Sequence, residues 1–266
     1  MRCGALPPRA QQARIQLAAV DSYAATVART IGQVLDLVPS ARFGTERRST
    51  RMALVLFCAE QGCAGAFSER VLDAVGHELT DSELFVIGTR GHAIMSERGI
   101  AVDWNAALPS HSLGIPKLAD RITEALFARV ASGEVDRLDA VFSEWRPGQG
   151  VHVRRRRLFP LDLSGFSRPA GLEAPLLNMS PEALLAELTA GYLHAELCNT
   201  ALHAFAAENE ARMEAMAAAH SQVEQQLSTL QATERIVRQE EITAEIIELA
   251  AGETASRAAQ TRPRNR

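Results

Sequence analysis

Two glycine pairs carry the first chemistry to weigh. Gly62-Cys-Ala-Gly65 and Gly88-Thr-Arg-Gly91 each follow an apolar run, where a turn can bring backbone N–H groups to a phosphate. Neither is G-x-G-x-x-G, no acidic ribose partner is evident, and no G-x-x-x-x-G-K-[ST] occurs in the chain. Both read as tight turns that let a helix pack closely on a sheet. Of the cysteines Cys3, Cys58, Cys63 and Cys198, the middle two are too far apart for Cys-x-x-Cys, and no histidine or second pair completes a zinc set. They read as buried small hydrophobes in a reducing compartment. There is no G-x-S-x-G or H-E-x-x-H, and the seven histidines are scattered. The pattern supports no catalytic centre, no metal site and no cofactor.

The run Arg154-Arg-Arg-Arg157 could neutralise phosphates of a nucleic acid or a lipid surface. As a strand, however, it sends alternate arginines to opposite faces, so at most two share a side. It is expected to form an exposed edge or foot surface, with no nucleic acid as partner.

These residues must be held by elements that the rest of the sequence supplies. With 266 residues, 47% apolar and 23% charged, and a net charge of −4, the chain fits one large domain or a domain with an extension. Lys117 is the one lysine among 28 basic residues. The longest uncharged apolar stretches, such as residues 52–59, fall far short of the roughly 20 residues a membrane span requires. No secretory signal precedes them, which makes the cytoplasm the default and direct membrane insertion unexpected.

Between residues 51 and 160, strand-like and helix-like segments alternate, the mark of a small α/β sheet domain. Met52-Ala-Leu-Val-Leu-Phe-Cys58 is a continuous apolar run, suited to a strand covered on both faces. Residues 66–77 and 115–131 read as helices and residues 83–88 as a second strand. Residues 138–145 and 151–158 read as two strands around the turn Pro147-Gly148-Gln149-Gly150. Residues 1–8 read as irregular, 161–179 as a linker and 252–266 as a disordered tail.

Two alanine-rich segments flank that domain. Over residues 9–38, Val20, Tyr23, Val27, Ile31, Val34 and Val38 recur at steps of three and four, a narrow apolar stripe on a helix that ends before Pro39; residues 40–50 then form a charged linker. The second helix starts at Ser180-Pro181-Glu182, with Ser as N-cap and Pro at the first position, and runs over residues 181–251. At the helical rise it spans roughly 107 Å, several times a small domain's diameter. Its heptad seam passes through Leu185, Leu188, Tyr192, Ala195, Asn199, Leu202, Ala206, Asn209, Met213, Met216, His220, Val223, Leu227, Leu230, Glu234 and Val237, which favours a coiled coil. The small and polar members weaken that seam and point to an external sleeve. After Val237 the stripe shifts to Ile242, Ile246 and Leu249.

Several strings resemble the gamma subunit, the central stalk, of F-type rotary ATP synthases. Leu54-Val-Leu-Phe-Cys-Ala-Glu-Gln-Gly-Cys-Ala-Gly65 is similar to that family's strand followed by Gly-Leu-Cys-Gly, and Val86-Ile-Gly-Thr-Arg-Gly91 to its Ile-Gly-Ser-Lys-Gly. Glu210-Ala-Arg-Met-Glu-Ala-Met216 matches as well. The most specific string is Val237-Arg-Gln-Glu-Glu-Ile-Thr-Ala-Glu-Ile-Ile-Glu-Leu249, similar to the C-terminal Ala-Arg-Gln-x-x-Ile-Thr-x-Glu-[IL]-x-Glu-[IL].

The resemblance implies a Rossmann-like sheet domain inserted between two helices that pair as an antiparallel coiled coil. It implies a non-catalytic rotor that couples rotation of the membrane c-ring to ATP synthesis or hydrolysis at beta-subunit sites. The partners would be the alpha and beta subunits, the epsilon subunit and the c-ring, with the chain peripheral on the cytoplasmic side of the inner membrane. Arg238, Gln239 and Thr243 match positions that hydrogen-bond to a beta-subunit loop, where Arg238 can offer a bidentate, charge-assisted contact. Met1 to Pro8 does not resemble the family's opening helix, and a helix over 9–38 reaches only about 45 Å. Either the start lies upstream or this is a shortened variant, and Leu227, Leu230 and Val237 would then lack a partner in cis. Glu60-Gln61-Gly62 in place of Asp-Arg-Gly, with the scarcity of lysine, suggests a divergent branch, the alternative ATPases. The competing reading is a stand-alone coiled-coil adaptor with a degenerate nucleotide-binding-like domain.

Overall fold

Met52–Phe57 (β1) is the centre of a sheet because its apolar residues alternate between two covered faces: Ala53, Val55 and Phe57 enter one core, and Leu54 and Leu56 enter another, where Cys58 joins them. The computed structural model describes residues 8–35, 37, 52–161 and 177–260. The sheet has the order β3-β2-β1-β4-β5, with β2 at Glu83–Ile87, β3 at Trp104–Ala106, β4 at Arg137–Arg146 and β5 at Gly150–Phe159. β1 pairs in parallel with both β2 and β4, β3 extends the parallel set, and β5 returns antiparallel to β4.

One face is covered by α2 (Phe67–Val75), the short α3 (Glu78–Asp81) and α4 (Thr89–Glu97), through Val71, Leu72, Leu79, Ile94 and Met95. The other is covered by α5 (Ile115–Ala131), whose Ile115, Leu118, Ile122 and Leu126 recur at steps of three and four. The Gly88 and Gly91 pair does what close helix packing requires. Gly88 has φ +105° and a Cβ there would meet the Cys58 carbonyl, while a Cβ on Gly91 would overlap the Cys58 side chain.

The chain divides into two units, residues 1–215 and 216–266, and α6 (Pro181–Gln260) is one helix contributing to both. It starts as expected: Ser180 Oγ accepts from the Ala183 N–H at 3.3 Å. It does not stop before residue 252. A single glycine costs a helix only about 1 kcal/mol, and the alanines and glutamate around Gly252 favour continuation, so the tail expected over 252–266 is helical as far as Gln260. Residues 261–266 lie outside the described set, as do residues 1–7, 38–51 and 162–176 of the expected N-terminus and linkers.

Within the first unit, α1 (Pro8–Leu35) runs antiparallel to the proximal part of α6. Arg14 pairs with Glu210 at 3.3 Å, further along α1 Asp21 accepts from Asn199, and beyond it the Tyr23 hydroxyl lies beside Gly191. Val27, Ile31 and Val34 of the expected stripe are buried, whereas Tyr23 is 55% exposed. The α6 stretch from 193 to 210 is buried on nearly every side, including Leu197, Cys198, Ala201, Leu202, Ala204 and Ala207. A helix enclosed all round cannot be read from one seam. Its alanines and Asn199 are the fit to a sleeve made of α1 and the sheet.

Candidate functional site

Two places could act on something outside or inside the chain: the bare helix of the second unit, and the crevice at the carboxyl ends of the parallel strands.

In the second unit every side chain from 216 to 253 is exposed. Val223, Leu227 and Leu230 recur at four and three, as do Ile242, Ile246 and Leu249, with exposures from 51% at Ile242 to 74% at Leu249. An apolar stripe of this length, left in water, marks a surface that a partner covers. Each such side chain contributes about 1.5–3 kcal/mol when fully buried. Arg238, Gln239 and Thr243 lie on this helix, all exposed. Gln239 and Thr243 share a face one turn apart, and the Thr243 hydroxyl donates to the Gln239 carbonyl at 2.7 Å. Arg238, one residue from Gln239, points about 100° away and comes one turn before the exposed Ile242. Polar donors beside apolar anchors can fix register and orientation against a loop rich in acceptors.

The second place belongs to the first unit. In an open parallel sheet, ligands bind outside the carboxyl ends of the strands where strand order reverses; here that point lies between β1 and β4. The crevice is occupied by α6. Ala207 packs with Ala59, Ala64 and Phe67, flanked by Ala211, Trp145 and Val151. Glu208, 3% exposed, accepts on Oε1 from the backbone N–H groups of Glu60 at 3.1 Å and Gln61 at 3.2 Å, and from Arg212. Arg212 also donates to the Gly62 carbonyl at 3.3 Å. Burial pushes the Glu208 carboxyl above its ordinary range, against the amides and Arg212, which favour its charged form.

Glu60 completes the arrangement. Its carboxylate accepts from the Thr89 N–H at 3.0 Å, the Thr89 hydroxyl at 2.6 Å and the Leu108 N–H at 2.8 Å, tying together the loops after β1, β2 and β3. The sequence reading missed Glu208 and Glu60 as functional positions. The available signal for Glu208 was its i,i+4 spacing to Arg212 within an alanine-rich stretch.

The cysteines separate. Cys58 and Cys198 are buried as expected, and burial, with Glu69 and Glu208 nearby, pushes the Cys58 thiol up to about 12. Cys63 is exposed instead, at a turn with φ +60°; Cys3 lies outside the described residues. Nor is the arginine run a bare patch. Arg156 pairs with Glu196, Arg155 with Asp139 and Glu78, and Arg154 with Glu144, on alternate sides of β5.

A sheet domain gripped by an antiparallel helix pair, with one helix presenting a long uncovered apolar stripe, defines a stalk-type subunit of a larger assembly. A family model described as ATP synthase matches residues 8–255. The ATP synthase gamma chain of Parafrankia sp. (strain EAN1pec) is 30% identical over 263 residues, covering 93% of this chain and 88% of the relative. That of Beutenbergia cavernae is 30% identical over 222 residues, covering 78% and 75%. Among solved structures, a chain of the Euglena gracilis mitochondrial ATP synthase in rotational state 3 superposes with TM-score 0.66 over 96% of both chains at 13% identity, a likeness of fold. The chain belongs to the ATP synthase gamma family, the central-stalk subunits of F-type ATP synthases. The stand-alone adaptor reading gives way to this match. Among the described residues no helix is long and apolar enough to cross a membrane.

Proposed function

We propose that this gamma subunit is a non-catalytic rotor, peripheral on the cytoplasmic side of the inner membrane. Its distal helix turns inside a ring of alternating alpha and beta subunits, and its sheet domain rests on the c-ring and the epsilon subunit. The observation that carries this reading is the run from 216 to 253 without one buried side chain, along which apolar residues recur at helical spacing. A lone helix of this kind is marginal in water and gains its order from what surrounds it. Arg238, Gln239 and Thr243 contact a beta-subunit loop, so that rotation presents a changing set of donors to each beta subunit and shifts its conformational population in turn. The crevice filled by Glu208 supports a sheet that binds no nucleotide.

Co-expression with the alpha and beta subunits from the same source tests the reading. The expected result is co-purification of one copy of this chain per alpha–beta ring, with ATP hydrolysis residing in the beta subunits. Recovery of the chain alone, with the ring assembled without it, would overturn the proposal.

A further inference from the structure

The crevice between β1 and β4 holds a charge where a chain normally places none. Glu208 is 3% exposed, and a carboxylate taken from water is tolerated only with donors at its oxygens. Here they come from three directions. Two are the successive backbone N–H groups of Glu60 and Gln61, converging on one oxygen in the manner of a backbone nest that accepts anions. The third is Arg212, fixed in turn by the Gly62 carbonyl and by Asn209 Oδ1 at 3.4 Å. The small side chains of Ala59, Ala64 and Ala207 close the site around them.

We propose that this crevice is a built oxyanion site, formed by the Glu60 and Gln61 N–H groups and the Arg212 guanidinium, whose resident ligand is the chain's own Glu208 carboxylate. The ligand class it accepts is a small carboxylate or a comparable oxyanion. The site lies where an open α/β sheet takes its ligand, and the fold has filled it from within. That occupation anchors α6 to the loop after β1, which Glu60 already ties to the loops after β2 and β3. The inference concerns the subunit alone and stands independently of which partners surround the distal helix. An ordinary i,i+4 ion pair between Glu208 and Arg212 makes a different prediction, since such a pair has no cradle for an added anion.

The experiment compares thermal midpoints of the full chain and of Glu208→Ala in sodium acetate, sodium formate and sodium chloride at equal ionic strength. The variant is expected to melt lower in chloride and to recover by about 5 °C, saturably, in acetate or formate. The unmutated chain is expected to respond equally to all three salts. Adding Arg212→Ala to the variant should abolish the recovery. Equal midpoints for the variant in acetate and chloride, or full recovery in the double variant, would overturn the proposal. Should Glu208→Ala fail to fold, Glu208→Gln serves: it keeps a carbonyl for the two amides but sets an NH2 group against Arg212. A midpoint below the unmutated chain's supports the site, and an unchanged midpoint overturns it.

Discussion

Arg156 on the edge strand β5 donates to Glu196 on α6 at 2.6 Å, and the same guanidinium nitrogen donates to Asn199 Oδ1 at 3.0 Å. Because Asn199 in turn donates to Asp21 on α1, one arginine links the edge of the sheet, the enclosed helix and the N-terminal helix. The side chain also lies 5.5 Å from the Phe142 ring centroid.

Arg156→Ala is therefore expected to destabilise the chain by about 1.5 kcal/mol, the lower end for hydrogen bonds to a charged group, since part of the side chain remains in water. Arg154→Ala, whose pairing with Glu144 is at 3.5 Å on a half-exposed side chain, should change stability by no more than about 0.5 kcal/mol. Urea unfolding of the two variants checks the contrast. Equal losses would mean that the run acts through its total charge.

Cys58 sets a pH dependence on the alkaline side. Burial raises the folded thiol from its ordinary value of 9.0 to about 12, so above pH 9 the unfolded chain gives up a proton that the folded chain keeps. The unfolded state then binds fewer protons and stability falls as pH rises toward 12, while the contribution is fully present below pH 9. In Cys58→Ala the slope of unfolding free energy between pH 9 and pH 10.5 should be shallower by up to about 1.4 kcal/mol per pH unit. Chemical denaturation across that range measures it, and an unchanged slope would show that Cys58 ionises freely in the fold.

Arg238→Ala with Gln239→Ala should leave helix content and assembly with alpha and beta unchanged, because both side chains are exposed and the apolar stripe is carried by Val237 and Ile242. ATP turnover coupled to ion pumping should fall, by about tenfold if a charge-assisted bond of about 1.5 kcal/mol is lost at the limiting rotor position. Turnover and pumping at the unmutated rate would return these residues to the status of ordinary surface.

Hydrogen exchange of the free, monomeric chain should show weak protection across residues 221–250 and strong protection across 193–210. The first stretch has no buried side chain, whereas the second is enclosed. Addition of alpha and beta subunits should bring the distal protection up. Strong protection there in the free monomer would contradict the dependence on a surrounding ring.

Much of the architecture is written in local patterns. The run through Val55 and Leu56, the stripe of Ile115, Leu118 and Ile122, and the Ser180-Pro181 start each occur in the structure at the element they indicated. β3 escaped notice because Trp104-Asn-Ala106 is too short for alternation to show, and α4 because Ile94 and Met95 are its only large buried apolar residues. Glu208 was illegible for a physical reason. A carboxylate in an alanine-rich helix reads as solvated unless something shows that its partners are backbone amides some 150 residues away, and a sequence does not display its N–H groups.

The enclosure of residues 193–210 has a consequence for synthesis of the chain. When the ribosome has completed β5 at Phe159, α5 is already available to one face of the sheet, but the part of that face around Phe142, which packs beside His203, still awaits α6. Contacts such as Arg14 to Glu210 span most of the first unit, and the closure of so long a loop is slow. The nascent sheet must therefore wait, this face only partly covered, until α6 clears the exit tunnel, a window in which aggregation or chaperone capture competes with folding. A stop codon placed before residue 193 would leave a foot that cannot close.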